Sequence, residues 1–516
     1  MARSRGGRAA RRRARAAGEG AAPGIRQLDW QQLRYADPPI GPLDEQGVAR
    51  VHDAAMRILE EIGIDFLHED ARALLAEAGC GVDGETVRMG RDFVMEQVGK
   101  APGSFTITPR NPARAVTLAP GTAVFGAVAS APNVSDLDNG RRSGTRADFR
   151  SLLKLTQSFN AVHVHCGYPV EPVDLHASVR HLDAVYDLLT LTDKAVHAYS
   201  LGRERVDDAM EMVRIAAGLD DAAFEAEPRM YTNINSSSPL KHDWAMLDGA
   251  MRMARRGQAV IVAPFTLAGA MAPVTLAGAI AQQTAEALAA IALLQYIRPG
   301  TPVVYGAFTS NVDMQSGAPA FGTPEYVRAM QMSGQMARHY GLPWRGSNAN
   351  AANFPDAQAA WESSSSLFGV TSGQASIVFH AAGWLEGGLT ASLEKFVLDC
   401  ELLQQWTWYH SHPVGTDDDD LAVDAIREVG PHGHFLGAEH TRQRYQTAFY
   451  APFLSDWRNY EAWEEAGAAK AHERARDIWK AVLAEFEAPP LDEAIREELE
   501  AFVARRKEEG GAPTDF

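Results

Sequence analysis

From Thr122 onward, short apolar runs punctuate the chain, each giving way to small or polar residues and then to a helical pattern. The runs are Ala123–Ala129, Val162–Tyr168, Ala195–Leu201, Arg229–Ile234, Ala259–Phe265, Pro302–Phe308, Leu342–Ser347 and Ser376–Ala381. Strands covered on both faces lose the alternation of apolar and polar residues, so such runs predict a parallel sheet with helices on its outside. The predicted helices between them include Phe149–Phe159, Arg205–Ala217, His242–Arg255, Ala277–Ile297, Pro324–Tyr340 and Asp356–Phe368. Thr145 and Asp148 have capping-box spacing ahead of the first. Eight strand-plus-helix units over roughly 250 residues predict an α/β fold, a (β/α)8 TIM-type barrel. No GxGxxG or GxxxxGK[ST] motif accompanies them, which disfavours a doubly wound nucleotide-binding sheet.

The flanks read differently. Residues 1–24 hold seven arginines before Gly18 and almost no large apolar residue, the pattern of a disordered basic tail; no hydrophobic segment follows Arg11–Arg13 as an export signal would require. Residues 25–120 predict an N-terminal α+β segment, with helices at Asp44–Ile62, His68–Ala78 and Arg91–Val98 and strands at Thr86–Met89, Ser104–Pro109 and Ala115–Ala119. Residues 121–400 form the predicted barrel domain. Residues 401–516 form a helical extension packed on it, with charged helices at Asn459–Phe486 and Leu491–Lys507 and a solvated loop at Asp417–Asp420.

Composition narrows the function classes. With 516 residues, 46% hydrophobic and 22% charged, the chain is ordinary for a globular protein, and its net charge of −17 disfavours nucleic acid and anionic membrane as partners while suiting a cationic ligand. Cys80, Cys166 and Cys400 are far apart and form no metal-binding spacing, consistent with a reducing cytoplasmic setting. Ala268–Leu294 is long and apolar, but Pro273, Gln282, Gln283 and Glu286 interrupt it, so a buried helix is expected rather than a membrane span.

Barrel enzymes place their chemistry in the loops after the strands. Here those loops carry rings, amides and glycines. His163 and His165 sit two apart on one strand, but no third ligand accompanies them and no bound metal is expected. No GxSxG marks a nucleophile, and Ser236–Ser238 read as a turn before Pro239. Lys194 and Lys241 read as surface residues, leaving no Schiff-base lysine for a lyase or aldolase. Trp, Tyr and Phe faces attract quaternary ammonium groups. Tyr168, Phe265, Tyr305, Phe308 and Trp384 are therefore candidates to surround a methylammonium. Asn235, Asn348 and Asn350 are candidates to hydrogen-bond a carboxylate, and His380 and Glu386 to orient neighbours or face the cation.

Several long blocks carry a family resemblance. They are NINSSSPL (Asn233–Leu240), PFTLAGAMAPVTLAGAIAQQTAEALA (Pro264–Ala289), RPGTPVVYG (Arg298–Gly306), PDAQAAWE (Pro355–Glu362), GWLEGGLTASLEKFVLD (Gly383–Asp399) and EVGPHGHFLGAEHT (Glu428–Thr441). From about Asp136 to Trp463 the chain resembles the corrinoid-dependent trimethylamine methyltransferase family, in its non-pyrrolysine branch with the glycine betaine methyltransferases. The resemblance implies a barrel fold and methyl transfer from a quaternary amine to the Co(I) corrinoid (cobalamin) of a separate carrier protein. It also implies a small betaine-type substrate, and a homo-oligomer is a reasonable expectation. Members acting on trimethylamine carry pyrrolysine. This sequence has only standard residues, with Gly346–Asn350 the neighbourhood of that position, which favours an already quaternary substrate. The alternatives are a non-catalytic quaternary-amine-binding barrel and demethylation of a tertiary methylamine.

Overall fold

The computed structural model describes residues 25–514; the arginine-rich 1–24 segment lies outside them. The main sheet has eight strands, in the spatial order Leu33–Arg34, Thr122–Ala127, Ile377–Ala382, Trp344–Ser347, Val303–Gly306, Ala259–Val262, Met230–Ile234 and Val196–His197. The first pair is antiparallel and every other pair is parallel. Single parallel bridges join Val164 to Gly126 on one side and to Ala195 on the other, so the sheet curls back toward Thr122–Ala127. The run expected as a strand at Val162–Tyr168 is reduced to that one bridge. His163 and His165 are drawn off it: His163 takes the Phe125 N–H at Nδ1 and donates to the Gln31 carbonyl, and His165 bonds Thr192 Oγ1.

Alternation along these strands separates two packed layers. Val124, Val164, Ala195, Tyr231, Ile261, Val304, Ile377 and Phe379 meet on the concave face. Their neighbours Ala123, Phe125, Val196, Met230, Val260, Val303, Tyr305, Trp344 and Val378 pack outward against the helices. The concave layer is tight: a Cβ on Gly126 would lie 2.0 Å from Cys166 Sγ.

The helices follow the strands as the pattern requires. Helix Arg146–Ser158 opens with the Thr145/Asp148 capping box. Helix Leu276–Ile297 is the one element among the described residues long and apolar enough to cross a membrane, and 83% of its apolar window is buried in the protein. It is apolar all round because the sheet side is not its only cover: the N-terminal helices Glu45–Arg57 and Arg91–Val98 pack over it. Helix Leu393–Ser411 is enclosed in the same way by helix Ala471–Ala484. Helix Glu493–Glu508 is fastened to the body by Arg506 on Asp208 (2.6 Å) and Lys507 on Asp183 (2.7 Å).

Two expectations are corrected, and a third gains its physical cause. Lys194 is buried, not a surface residue; its ammonium donates to the carbonyls of Phe159 (2.9 Å), Thr156 and Val162, closing the C-terminal end of helix Arg146–Ser158 where carbonyls have no helical partner. Ser236 and Ser238, in the bend before Pro239, are buried, and both hydroxyls donate to the Glu286 carboxylate, which also takes the Leu240 N–H at 2.8 Å. Asp417 is not in a plain loop: its carboxylate caps a four-residue helix, Asp418–Leu421.

Burial holds His163, His165 and His197 neutral down to about 3. In the unfolded chain the same imidazoles take protons near 6.5, so below that pH the unfolded state binds more protons than the folded one. Stability should be full above about pH 6.5 and fall progressively as the pH drops toward 3. Asp208 and Asp248, held low by their His and Arg partners once desolvation is overcome, act in the same direction further down. Melting followed by circular dichroism should show Tm decreasing from pH 7 to pH 5; a constant Tm over that range would contradict the assignment.

Candidate functional site

The loops leaving the strands at their C-terminal ends bring one group of rings together. Phe265, after Ala259–Val262, lies 5.1 Å from Phe308, after Val303–Gly306; Phe308 lies 5.6 Å from Phe321 and 6.2 Å from Trp384. Trp384 sits 4.0 Å from His380, centroid to centroid. These five rings come from the loops after strands Ala259–Val262, Val303–Gly306 and Ile377–Ala382 and from the bulged end of the last strand itself.

The bulge explains His380. Register advances from Val378↔Phe125 to Ala382↔Ala127, so four steps on one strand match two on the other. His380 takes up the slack at φ +55°, a left-handed conformation that costs a non-glycine residue of order 1 kcal/mol or more and is kept where neighbours enforce it. Its ring is thereby turned toward Trp384 and Phe308. Burial, together with the nearby Arg345 charge, pushes the imidazole well below 6.5, so it is neutral in the physiological range.

Beneath the rings stands a residue that the sequence reading missed. Arg345 shares a strand face with Ser347, while Gly346 turns its back to Val370. The Arg345 guanidinium lies 5.0 Å from the Phe308 centroid and 4.5 Å from that of Phe379. It is 3% exposed, donates to the Ala307 carbonyl at 3.2 Å, and has no ion-pair partner among the described residues. Desolvation pulls it down to about 10, still charged at neutral pH. A buried cation without a carboxylate is costly, and an anionic group brought beside it would offset that cost. The signal was present in the sequence: a single charge inside a short strand whose other residues are uncharged.

Unpartnered polar atoms gather in the same place. Asn348 Oδ1, Asn350 Oδ1, His380 Nδ1 and Arg345 Nε are buried with no hydrogen-bond partner. Each such atom costs about 1–3 kcal/mol unless a ligand or water meets it. Both amides are fixed through their other ends. Asn348 Nδ2 donates to the Ala381 carbonyl (3.0 Å), and Asn350 Nδ2 donates to Ser363 Oγ (3.2 Å). Behind Ser363 lies a buried relay in which Lys395 donates to Ser363 at 2.7 Å and pairs with Asp399, whose other oxygen takes the Gly383 N–H at 2.9 Å. The Trp384 indole N–H donates to the Asn350 carbonyl at 3.1 Å. One network thus sets Asn350, Gly383 and Trp384 together.

Other candidates fall elsewhere. Tyr305 faces the helix layer, not the rings: its hydroxyl meets Gln283 Nε2 at 3.0 Å and Thr284 Oγ1 at 2.8 Å. Because Gln283 also accepts from Thr309 at 2.7 Å, Tyr305 buttresses the loop that carries Phe308. Tyr168 packs edge-on against Phe149 and Tyr199 in a separate ring group. Asn235 is held between Asn233 and the Ala263 carbonyl. Glu386 is at the rim, tied to Arg141 (2.7 Å) and Thr390 (2.5 Å), interactions that keep its carboxyl below the usual range despite partial burial.

Two outcomes follow from this geometry. Binding of tetramethylammonium, read as a change in tryptophan fluorescence, should be independent of pH between 5.5 and 8; a midpoint near 6.5 would mean that His380 titrates there. Lys395→Met should lower stability by about 3–5 kcal/mol, because it strands the Asp399 carboxylate in the interior. The double variant Lys395→Met/Asp399→Leu should recover part of that loss in a denaturant titration, and no recovery would refute the pairing.

Comparison with known proteins supplies the context. Residues 4–511 match the model of the family described as trimethylamine methyltransferase (MTTB). The chain is 38% identical over 475 residues to a glycine betaine methyltransferase of Desulfitobacterium hafniense (strain Y51), covering 92% of this chain and 98% of that one. It is 27% identical over 467 residues to the trimethylamine methyltransferase MttB of Desulfitobacterium hafniense (strain DSM 10664 / DCB-2), covering 89% and 93%. It is 27% identical over 416 residues to a proline betaine:corrinoid methyltransferase of Eubacterium limosum, covering 78% and 84%.

Proposed function

The chain belongs to the trimethylamine methyltransferase family, and from that premise we propose that it transfers a methyl group from a carboxylated quaternary amine, a betaine, to the Co(I) corrinoid of a partner carrier protein. The observation that carries this reading is Arg345, a buried guanidinium without a counter-ion next to a cluster of aromatic rings. A simple tetraalkyl cation gains the ring faces, but that charge weakens its binding. A betaine presents both signs: its carboxylate meets the guanidinium, and its methylammonium takes the faces of Phe265, Phe321 and Trp384, with Phe308 between the two ends.

The site is suited to a reaction whose nucleophile arrives from outside. Co(I) would supply the electron pair that takes the methyl group, and the departing amine is neutral, so no proton need be delivered. The chain's own residues bind and orient. Arg345 fixes one end of the substrate, Asn348 and Asn350 offer carbonyl oxygens to the positive methyl groups, and neutral His380 adds no charge beside the cation. Burial of Asn348, Asn350 and Trp384 keeps water from the reacting carbon.

This reading treats the curled sheet as a closed (β/α)8 barrel, sealed through Val164 by its bridges to Gly126 and Ala195. It takes 25–120 as an N-terminal segment, 121–400 as the barrel domain and 401–516 as an extension. A cytoplasmic location agrees with the three free cysteines. The carrier would dock on the rim, where five exposed apolar side chains, Val173, Val274, Met314, Phe354 and Leu389, stand on five different post-strand loops.

Purified protein incubated with reduced cobalamin and a panel of quaternary amines should yield methylated cobalamin and the demethylated amine with a betaine. Silence across the panel from folded protein would overturn the assignment. Arg345→Met should raise KM for a betaine about 10- to 100-fold, as removing a charged hydrogen bond worth about 1.5–3 kcal/mol requires. The same change should leave tetramethylammonium binding equal or tighter; equal weakening of both ligands would remove Arg345 from carboxylate recognition.

A further inference from the structure

Residues 413–449 leave the body of the protein and return to it, and they are joined to little else. Among the described residues their hydrogen bonds and ion pairs are all made within the segment, among them His440 to the Asp419 carbonyl, Arg444 to Asp419 and Arg427 to Asp424. The helical pieces are short: Asp418–Leu421, Val423–Val429 and Glu439–Arg444. Pieces of that length are unstable in water unless something packs against them. Only Ala425 and Ala438 are buried apolar residues within the segment, and neither joins the main core. Outward it presents Val414 (94% exposed), Leu436 (83%), Phe449 (82%) and Tyr445 (67%), with Phe435 beside them and Trp457 (75%) just after. At 150–250 Å² per ring, the exposed aromatic surface of this arm is on the order of 500 Å² before the aliphatic residues are added, so its whole apolar face approaches the ~800 Å² per partner of a stable interface.

The arm's roots place it away from the site. Helix Leu393–Ser411 runs back from the strand ends, and its last turn meets the chain next to Leu33–Arg34: Tyr409 donates to Asp37 at 2.7 Å, and His410 accepts the Ala36 N–H. On return, Tyr450 donates to Glu401 at 2.6 Å and Phe453 packs on Phe159. Both anchors are at or toward the end of the sheet opposite the ring cluster. The anchors thus leave the ring end of the sheet free for a carrier protein presenting cobalt. The run Asp417–Asp420, in a chain of net charge −17, also disfavours nucleic acid and an anionic membrane.

We propose that the arm 413–449 is a clasp for a second copy of this chain. Each copy brings the same self-bonded, apolar-faced arm from the end of the barrel away from the active site, and a two-fold arrangement lets both arms be covered in one closed interface. This leaves both sites and both carrier-docking rims open. The block EVGPHGHFLGAEHT (Glu428–Thr441), which the ring cluster leaves without a role, lies in the arm and belongs to the clasp.

Sedimentation velocity of the full chain at micromolar concentration should give a species of at least twice 56.0 kDa. Leu436→Asp/Phe449→Asp should sediment as the single chain with an unchanged far-ultraviolet spectrum, whereas Val274→Asp/Met314→Ser, on the rim, should keep the assembly. Hydrogen exchange on the wild-type protein should show amides of 413–449 losing protection on dilution into the dissociated state. A wild-type monomer overturns the clasp, as does an assembly that survives the arm variant, or arm amides whose protection is the same in assembled and dissociated chains. Should the aspartate variant fail to fold, the dilution experiment on the wild-type chain decides alone.

Discussion

A charged guanidinium held inside a parallel sheet without a carboxylate is the constraint around which the functional end of this protein is arranged. Arg345 is tolerated because the Phe308 and Phe379 rings face it and the Ala307 carbonyl accepts from it, but these contacts replace only part of the lost hydration. The rings, the unpartnered amide oxygens and the neutral His380 gather above it. Such a set is expensive for the folded chain alone and becomes favourable when a ligand of both signs completes it, which is how binding energy is stored in a preorganised site.

That preorganisation has a visible cause. The Lys395–Asp399 pair, Ser363 and the Gly383 N–H form one buried network behind Asn350 and Trp384, and Gln283 links Tyr305 in its strand and the loop of Phe308 to the core helix Leu276–Ile297. Glu362 takes the N–H groups of Ala351 (2.8 Å) and Ala352 (3.0 Å), and Glu286 does the same work for Ser236–Leu240. Buried carboxylates that accept backbone donors thus shape the post-strand loops, while acids facing the rings are lacking among the described residues. The acidic side chains of this region serve architecture, and the recognition chemistry is left to rings, amides and one arginine.

Much of the sheet was legible because its strands are buried on both sides. All eight apolar runs coincide with a strand or, at Val164, a bridge, and the intervening helices lie within a few residues of where their periodicity placed them. The placement of Phe265, Phe308, Trp384, Asn348 and Asn350 at the strand ends was legible for the same reason, since each follows a strand closely; His380 lies within its strand, and its direction depends on the bulge. Tyr305 was misplaced because it lies within its strand, where direction alternates with every residue and a one-residue ambiguity in register reverses the face. Lys194 was misread because a lysine at a strand start looks exposed until the carbonyls of a helix end are known to stand over it.

By itself, the sequence determined the order and type of the elements and which loops carry rings, since periodicity and composition are properties of neighbouring residues along the chain. The tertiary structure alone decided which of those side chains meet. It turned His380 inward through a bulge, set Arg345 under Phe308, and drew Lys395, Ser363 and Asn350 into one network from separate elements. Those contacts depend on how strands and helices pack across long sequence separations, and no local pattern encodes them.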